Sequence, residues 1–247
     1  MNKIVVSGDF SYARKFVESL PAVFDACGKL LYDGRNTVKA FDVDGTTLVV
    51  KKFKTPNIFQ RVAYSFFKKS KAERAYLYAR MLRERGVSTP REVAYIELRR
   101  GILLSDSYFV STECALPALF ELIRRPDFDH DAADALARFI VTLHEKGVLH
   151  GDLNLTNILY ERSADGQYSF TLIDTNRSKF RTPTHRDCIN NMIRLTHVRE
   201  VLGYVTARYA GLRGWNVEQT VSEVTETLDK FEHRKKVKGQ IKRKIRK

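Results

Sequence analysis

Residues 150–157 read His150-Gly151-Asp152-Leu153-Asn154-Leu155-Thr156-Asn157, followed by the apolar Ile158-Leu159-Tyr160; further on, the run Phe170-Thr171-Leu172-Ile173 ends in Asp174. If the two apolar runs pair as an antiparallel hairpin closed at Asp165-Gly166, then Asn157 and Asp174 flank its open end. Two hard oxygen ligands facing one point suit magnesium, which takes one or two protein oxygens and completes its shell with phosphate and water. Asp152, in the same loop, is placed to accept the proton of an attacking hydroxyl. Each residue alone is ordinary turn chemistry, since Asp and Asn favour turns. The HxDxxxxN spacing, the apolar triplet and the strand ending in Asp carry the functional reading together.

The elements that must position these groups fall into two halves. In the first, the β-favouring runs 29–32, 37–41 and 46–53 are separated by turn residues at 33–36 and 44–45, which predicts a three-stranded meander. A helical stretch follows over 57–85, ended by Gly86 and Pro90. Two further strands are expected at 93–98 and 107–112. The second half reads as helical over 132–146, stopped by Gly147, then as the loop and hairpin above, then as mostly helical over 187–231. The expected organisation is an N-terminal unit over 1–113, a C-terminal unit over 114–232 and a basic tail over 233–247.

Composition narrows the setting. A chain of 247 residues with 43% hydrophobic content can bury one full core or two small lobes. Cys27, Cys114 and Cys188 form no CxxC pair, so neither a zinc site nor a disulfide framework is expected, and a reducing cytoplasm fits. No apolar run approaches the ~20 residues of a membrane span, and the start lacks signal-peptide character, which predicts a soluble or peripheral protein. A formal net charge of +14 calls for an anionic partner.

The segments HGDLNLTNILY and LIDTN resemble the catalytic and metal-binding loops of the protein-kinase-like superfamily, and specifically its lipopolysaccharide core kinases, which phosphorylate Kdo or heptose. The HGDL of aminoglycoside phosphotransferases is similar. The resemblance implies an α+β bilobal kinase-like fold using ATP and Mg2+, with a small antiparallel-sheet N-lobe carrying one main helix and a mostly helical C-lobe. It implies Asp152 as catalytic base, Asn157 and Asp174 as metal ligands and His150 as a support of the loop. Gly151 stands where protein kinases usually have Arg, and Thr175-Asn176 where they have Phe-Gly. Both departures favour a small or lipid-borne acceptor such as lipid A-Kdo.

The superfamily also requires a strand lysine that holds the nucleotide phosphates and a helix glutamate that holds the lysine. Lys51, ending Leu48-Val49-Val50, is the expected lysine; strand alternation puts Lys52 and Lys54 on the other side. Glu73 is the expected partner, ahead of Glu84. Gly34, in the turn Asp33-Gly34-Arg35-Asn36, is the expected phosphate-covering position, and Glu113 to Ala115 the adenine-binding hinge. Rival readings are an atypical, RIO-like protein kinase and a non-catalytic kinase-like module.

Two basic stretches remain. Residues 59–69 mix Phe59, Tyr64, Phe66 and Phe67 with Arg61, Lys68 and Lys69, and nine of the fifteen residues from 233 to 247 are Lys or Arg, with Val237, Ile241 and Ile245 among them. Both suit an anionic membrane surface, in keeping with a peripheral enzyme on the cytoplasmic side of a bacterial inner membrane. The first stretch also reads as ordinary small-lobe packing with a solvated lysine face. The tail's charge also admits RNA.

Overall fold

The computed structural model describes residues 2–124 and 127–245. They form two compact units. The first comprises Met1–Ala115 together with Leu172–Arg177; the second comprises Leu116–Thr171 and Ser178–Lys247. The expected boundary at 113 falls two residues short and misses the return of 172–177 to the first unit.

The first unit contains β1 (Lys3–Val6), α1 (Arg14–Val23), β2 (Lys29–Asp33), β3 (Thr37–Val43), β4 (Thr46–Phe53), α2 (Ile58–Phe66), α3 (Lys71–Glu84), β5 (Glu92–Arg100) and β6 (Leu103–Thr112). Its six strands make one sheet in the order β1-β5-β6-β4-β3-β2, with every neighbouring pair antiparallel. The β2-β3-β4 meander forms where expected. Its second turn uses Asp44 at φ 50° and Gly45 at φ 75°, the left-handed pair that matches a two-residue hairpin loop to the twist of its strands.

β1 and α1 were not foreseen, and they complete the sheet's edge and one of its layers. Strand alternation sends Leu48 and Val50 towards α1, where they join Val17, Leu20, Phe24, Phe41, Ile96 and Val110 in a buried cluster. The opposite face of the sheet carries Phe53 and Tyr95 against Ala72, Ala75 and Tyr76 of α3. Lys51, between Val50 and Lys52, therefore lies on the α3 side.

The helix predicted over 57–85 is two helices. Asn57 caps α2 by accepting from the Gln60 amide at 2.9 Å, and Phe67 leaves helical geometry at φ −123°. Ser70 then starts a new helix by accepting from the Glu73 amide at 3.0 Å. Serine at this place satisfies an amide that has no partner inside the helix, so the chain gains a second helix start instead of a continuous turn.

The second unit contains α4 (Phe120–Ile123), α5 (His130–Glu145), β7 (Val148–Leu149), β8 (Ile158–Arg162), most of β9 (Tyr168–Leu172), β10 (Lys179–Phe180), α6 (His185–Met192), α7 (Arg199–Leu212) and α8 (Val217–Ile245). β8 and β9 form the expected hairpin, closed by Gly166 at φ 84°. The basic tail continues the preceding helix: α8 packs on α6 and α7 through buried Val224 and Leu228, then is exposed from His233 to Ile241. Among the described residues no helix is long and apolar enough to cross a membrane.

Candidate functional site

The site residues divide between the two units. In the first unit, Lys51 Nζ lies 2.7 Å from Asp174 Oδ1. Two features bring Asp174 to this place. The Leu172 amide bonds the Ser88 carbonyl at 2.9 Å, and the 3-10 turn Thr175–Arg177 packs on α3. Asp174 itself adopts φ 56°, a left-handed conformation that Asp tolerates better than most residues and that is frequent at functional sites. Asn176 Nδ2 donates to the same Oδ1 at 2.6 Å.

The expected Lys51–Glu73 pair is not formed. Glu73 stands in the first turn of α3, its amide taken by the Ser70 cap, and its carboxylate meets Lys3 of β1 at 3.2 Å and Lys69 at 3.4 Å. Because α3 begins at Lys71, position 73 is at the helix start near the β1 edge, whereas a single helix from 57 would have made it central. Glu84, the other acid considered, pairs with Arg80 on the exposed side of α3 at 3.0 Å.

A feature the sequence reading missed surrounds Lys51. The Lys71 ammonium is held below the usual lysine range, first by burial and then by the positive charges of Arg35, Arg177, Arg74 and Lys51. Five cations of the first unit thus share one neighbourhood, which suits a polyanion such as a nucleotide triphosphate. Only Lys51 carried a strand signal; the other four come from a turn, a helix start and the returned segment.

Gly34 and Glu113 are less available than expected. The Gly34 amide bonds the Asn36 carbonyl at 3.2 Å, and the Glu113 amide bonds the Thr47 carbonyl at 3.2 Å. A Cβ at Gly34 would meet only the tip of the exposed Tyr32 side chain, which can swing aside. Ala115 is exposed at the last residue of the first unit's main segment.

In the second unit the loop 150–157 is built around two acceptors. The Asp152 carbonyl accepts from the Asn154 amide at 2.8 Å and from Asn157 Nδ2 at 2.9 Å. Asn154 Oδ1 accepts from the amides of Thr156 and Asn157 at 3.0 and 3.1 Å. Buried Leu153 and Leu155 anchor the loop. With its Nδ2 committed to Asp152, half-buried Asn157 keeps its Oδ1 as the oxygen that a hard cation would use. That oxygen in the second unit and the Asp174 carboxylate in the first are each of the hard type that magnesium takes. No cluster of three or more His, Cys, Asp or Glu with metal-binding placement exists among the described residues, and magnesium bound mainly by phosphate and water requires none.

His150 is fully buried, and its Nδ1 accepts from the Asp152 amide at 3.3 Å. Its carbonyl is held from outside the loop by Asn191 Nδ2 of α6 at 2.7 Å. Since that nitrogen donates, Asn191 Oδ1 accepts from His144 Nε2 at 3.1 Å, which leaves His144 Nδ1 to accept from the Tyr209 hydroxyl at 2.8 Å. Burial pushes His144 down to about 4, so the imidazole is neutral at pH 7. Asp187, in the same helix, serves another purpose: it completes the α6 capping box with Thr184 and pairs with Arg181, whose guanidinium holds its carboxyl well below the usual range.

Comparison with known proteins bears on the family and the fold. The sequence profile of the Lipopolysaccharide kinase (Kdo/WaaP) family matches residues 34–215. Two curated relatives, the 3-deoxy-D-manno-octulosonic acid kinases of Vibrio vulnificus strains YJ016 and CMCP6, are each 23% identical over 146 residues; the match spans 57% of this chain and 60% of the relatives' length. Among solved structures, WaaP in complex with acyl carrier protein aligns with a TM-score of 0.57 at 21% identity, covering 90% of this chain and 99% of that one. The fold is kinase-like. With the profile covering most of its length, the chain belongs to the Lipopolysaccharide kinase (Kdo/WaaP) family.

Proposed function

We propose that the protein transfers the γ-phosphoryl group of ATP to a hydroxyl of a sugar in the lipopolysaccharide inner core, with Kdo preferred over heptose and the acceptor carried on lipid A. The observation that carries this reading is the 2.7 Å contact between Lys51 and Asp174, which joins a strand lysine to an acid 123 residues away inside a cluster of cations. In this reading Lys51 and its cationic neighbours hold the nucleotide phosphates. Asp152 accepts the proton of the attacking sugar hydroxyl, with its backbone fixed by Asn154 and Asn157. Asn157 and Asp174 supply oxygens to Mg2+, which when bound neutralises charge on the transferring phosphate. Gly34 and Ala115 border the nucleotide, while Glu113 takes no part through its amide.

The family profile and the Kdo kinase relatives support the sugar class. The basic end of α8 supports work at an anionic membrane surface, on the cytoplasmic face of a bacterial inner membrane. Incubation of the purified protein with radiolabelled ATP and lipid A-Kdo, a heptose-bearing acceptor, or a protein mixture tests the proposal. Label is expected in lipid A-Kdo, and label in protein alone would sink it.

A further inference from the structure

α2 is amphipathic, yet it is mounted with its polar side against the sheet. Arg61 Nε donates to the Leu104 carbonyl of β6 at 2.8 Å, and Ser65 Oγ accepts from the Leu104 amide at 2.9 Å while donating to the Arg61 carbonyl at 2.7 Å. Arg61 and Ser65 are one turn apart and define the bonded face. Phe59 and Phe66 point away from that face, Ile58 and Val62 lie along its margin, and all four are exposed, Phe59 at 83%. Phe67, 80% exposed, follows directly. No residue of α2 is buried. Burying the apolar side would have been the ordinary outcome for a helix on a sheet, so the exposed aromatic face is a feature in need of an occupant.

Charge identifies that occupant. From Lys52 to Ala72 the sequence contains no acid and six cations: Lys52, Lys54, Arg61, Lys68, Lys69 and Lys71. Lys54 precedes the helix and Lys68 and Lys69 follow it, all exposed. A groove of about 270 Å³ beside Phe66 and Phe67 is lined by Lys3, Lys68, Lys69 and Arg99. Its two carboxylates are already paired, Glu73 with Lys3 and Lys69 and Glu97 with Arg99. Exposed Ile102, in the β5–β6 turn, extends the apolar surface.

An aromatic face rimmed by lysines, beside which the groove's two carboxylates are already paired with cations, is complementary to a bilayer with anionic headgroups. The rings enter the acyl boundary while the ammonium groups stay among the phosphates. We infer that α2 and Phe67 form an interfacial insertion element that seats the first unit in an anionic lipid surface. This attachment is apolar in character and separate from the basic end of α8.

Vesicle co-sedimentation of the full chain, without ATP, tests the inference independently of phosphotransfer. Wild type is expected to bind vesicles of phosphatidylcholine with phosphatidylglycerol more tightly than phosphatidylcholine alone, and to retain part of that binding at ~0.5 M salt, where purely electrostatic attachment is screened. Phe59→Ser with Phe67→Ser should weaken binding about tenfold or more and abolish the salt-resistant part, with an unchanged melting temperature because both rings are exposed in the folded state. Lys68→Ala with Lys69→Ala should weaken binding only at low salt. Three results would overturn the inference: equal binding by the double serine variant, binding by wild type that vanishes entirely in salt, or a concentration-dependent dimer that the serine changes disrupt while vesicles go unbound.

Discussion

At the scale of single residues, the first unit makes a choice between two acids for Lys51. It takes Asp174 at 2.7 Å and leaves Glu73 with Lys3 and Lys69. The consequences for turnover are separable. Lys51→Met should lower kcat/KM by at least about a hundredfold, since it removes a phosphate-holding cation and leaves Asp174 without its main partner. Glu73→Gln should stay within about threefold of wild type, because ion pairs with exposed lysines contribute little. A hundredfold loss in Glu73→Gln, measured by steady-state ATP turnover, would show that the helix acid acts on Lys51 during catalysis. Asp152→Ala should reduce kcat by about 10²–10⁴, the usual contribution of a positioned base, with the melting temperature held. Activity that survives the substitution would refute its role.

At the scale of elements, the loop 150–157 is fixed by helices that contain none of its chemistry. Tyr209 of α7, His144 of α5 and Asn191 of α6 form a buried hydrogen-bonded chain that ends on the His150 carbonyl. Asn191→Leu removes the donor to that carbonyl and strands the His144 Nε2–H, so chemical denaturation should show a loss of about 1–3 kcal/mol. The same chain makes stability depend on pH. His144 titrates at about 4 in the folded protein against 6.5 as its ordinary value. Between these values the unfolded chain binds a proton that the folded chain refuses. The contribution of neutral His144 is therefore complete above pH 6.5 and is lost as pH falls towards about 4, by up to about 1.4 kcal/mol per unit. His144→Phe should be less stable at pH 7, and its stability should fall less steeply than that of wild type from pH 6.5 to 4.5. Parallel profiles would contradict the assignment.

Across the whole molecule, the exposed stretch of α8 from His233 to Ile241 carries Arg234, Lys235, Lys236 and Lys238 and no acid. α8 is tied down in its first half by Arg199 with Asp229 and Glu232, and by His185 with Glu223. Beyond Glu232 it projects exposed lysines and arginines. Changing Lys235, Lys236 and Lys238 together to Gln should weaken binding to anionic vesicles about a hundredfold at low salt, at about 1 kcal/mol for each cation. Binding at high salt, and ATP turnover with a soluble acceptor, should be unaffected. A fall in turnover equal to the fall in vesicle binding would instead place these cations at the active site.

The sequence by itself determined the features that depend on neighbours along the chain. The meander over 37–53 and the hairpin around Gly166 follow from strand alternation and left-handed turn residues, and the separation of Lys51 from Lys52 follows from the pleat. The HxDxxxxN spacing and the strand ending in Asp174 pointed to the family through local pattern in the same way. Tertiary structure decided the rest. Whether Lys51 meets Glu73 or Asp174 depends on where α3 starts and on the return of 172–177 to the first unit. Arg35, Lys71 and Arg177 become neighbours only through packing, and Asn191 reaches His150 from a different helix. The mounting of α2 was the least legible feature, because periodicity reports that one face is apolar and says nothing of which face the sheet will bind. Two side-chain bonds to Leu104 set that orientation, and only the folded sheet brings Leu104 to them.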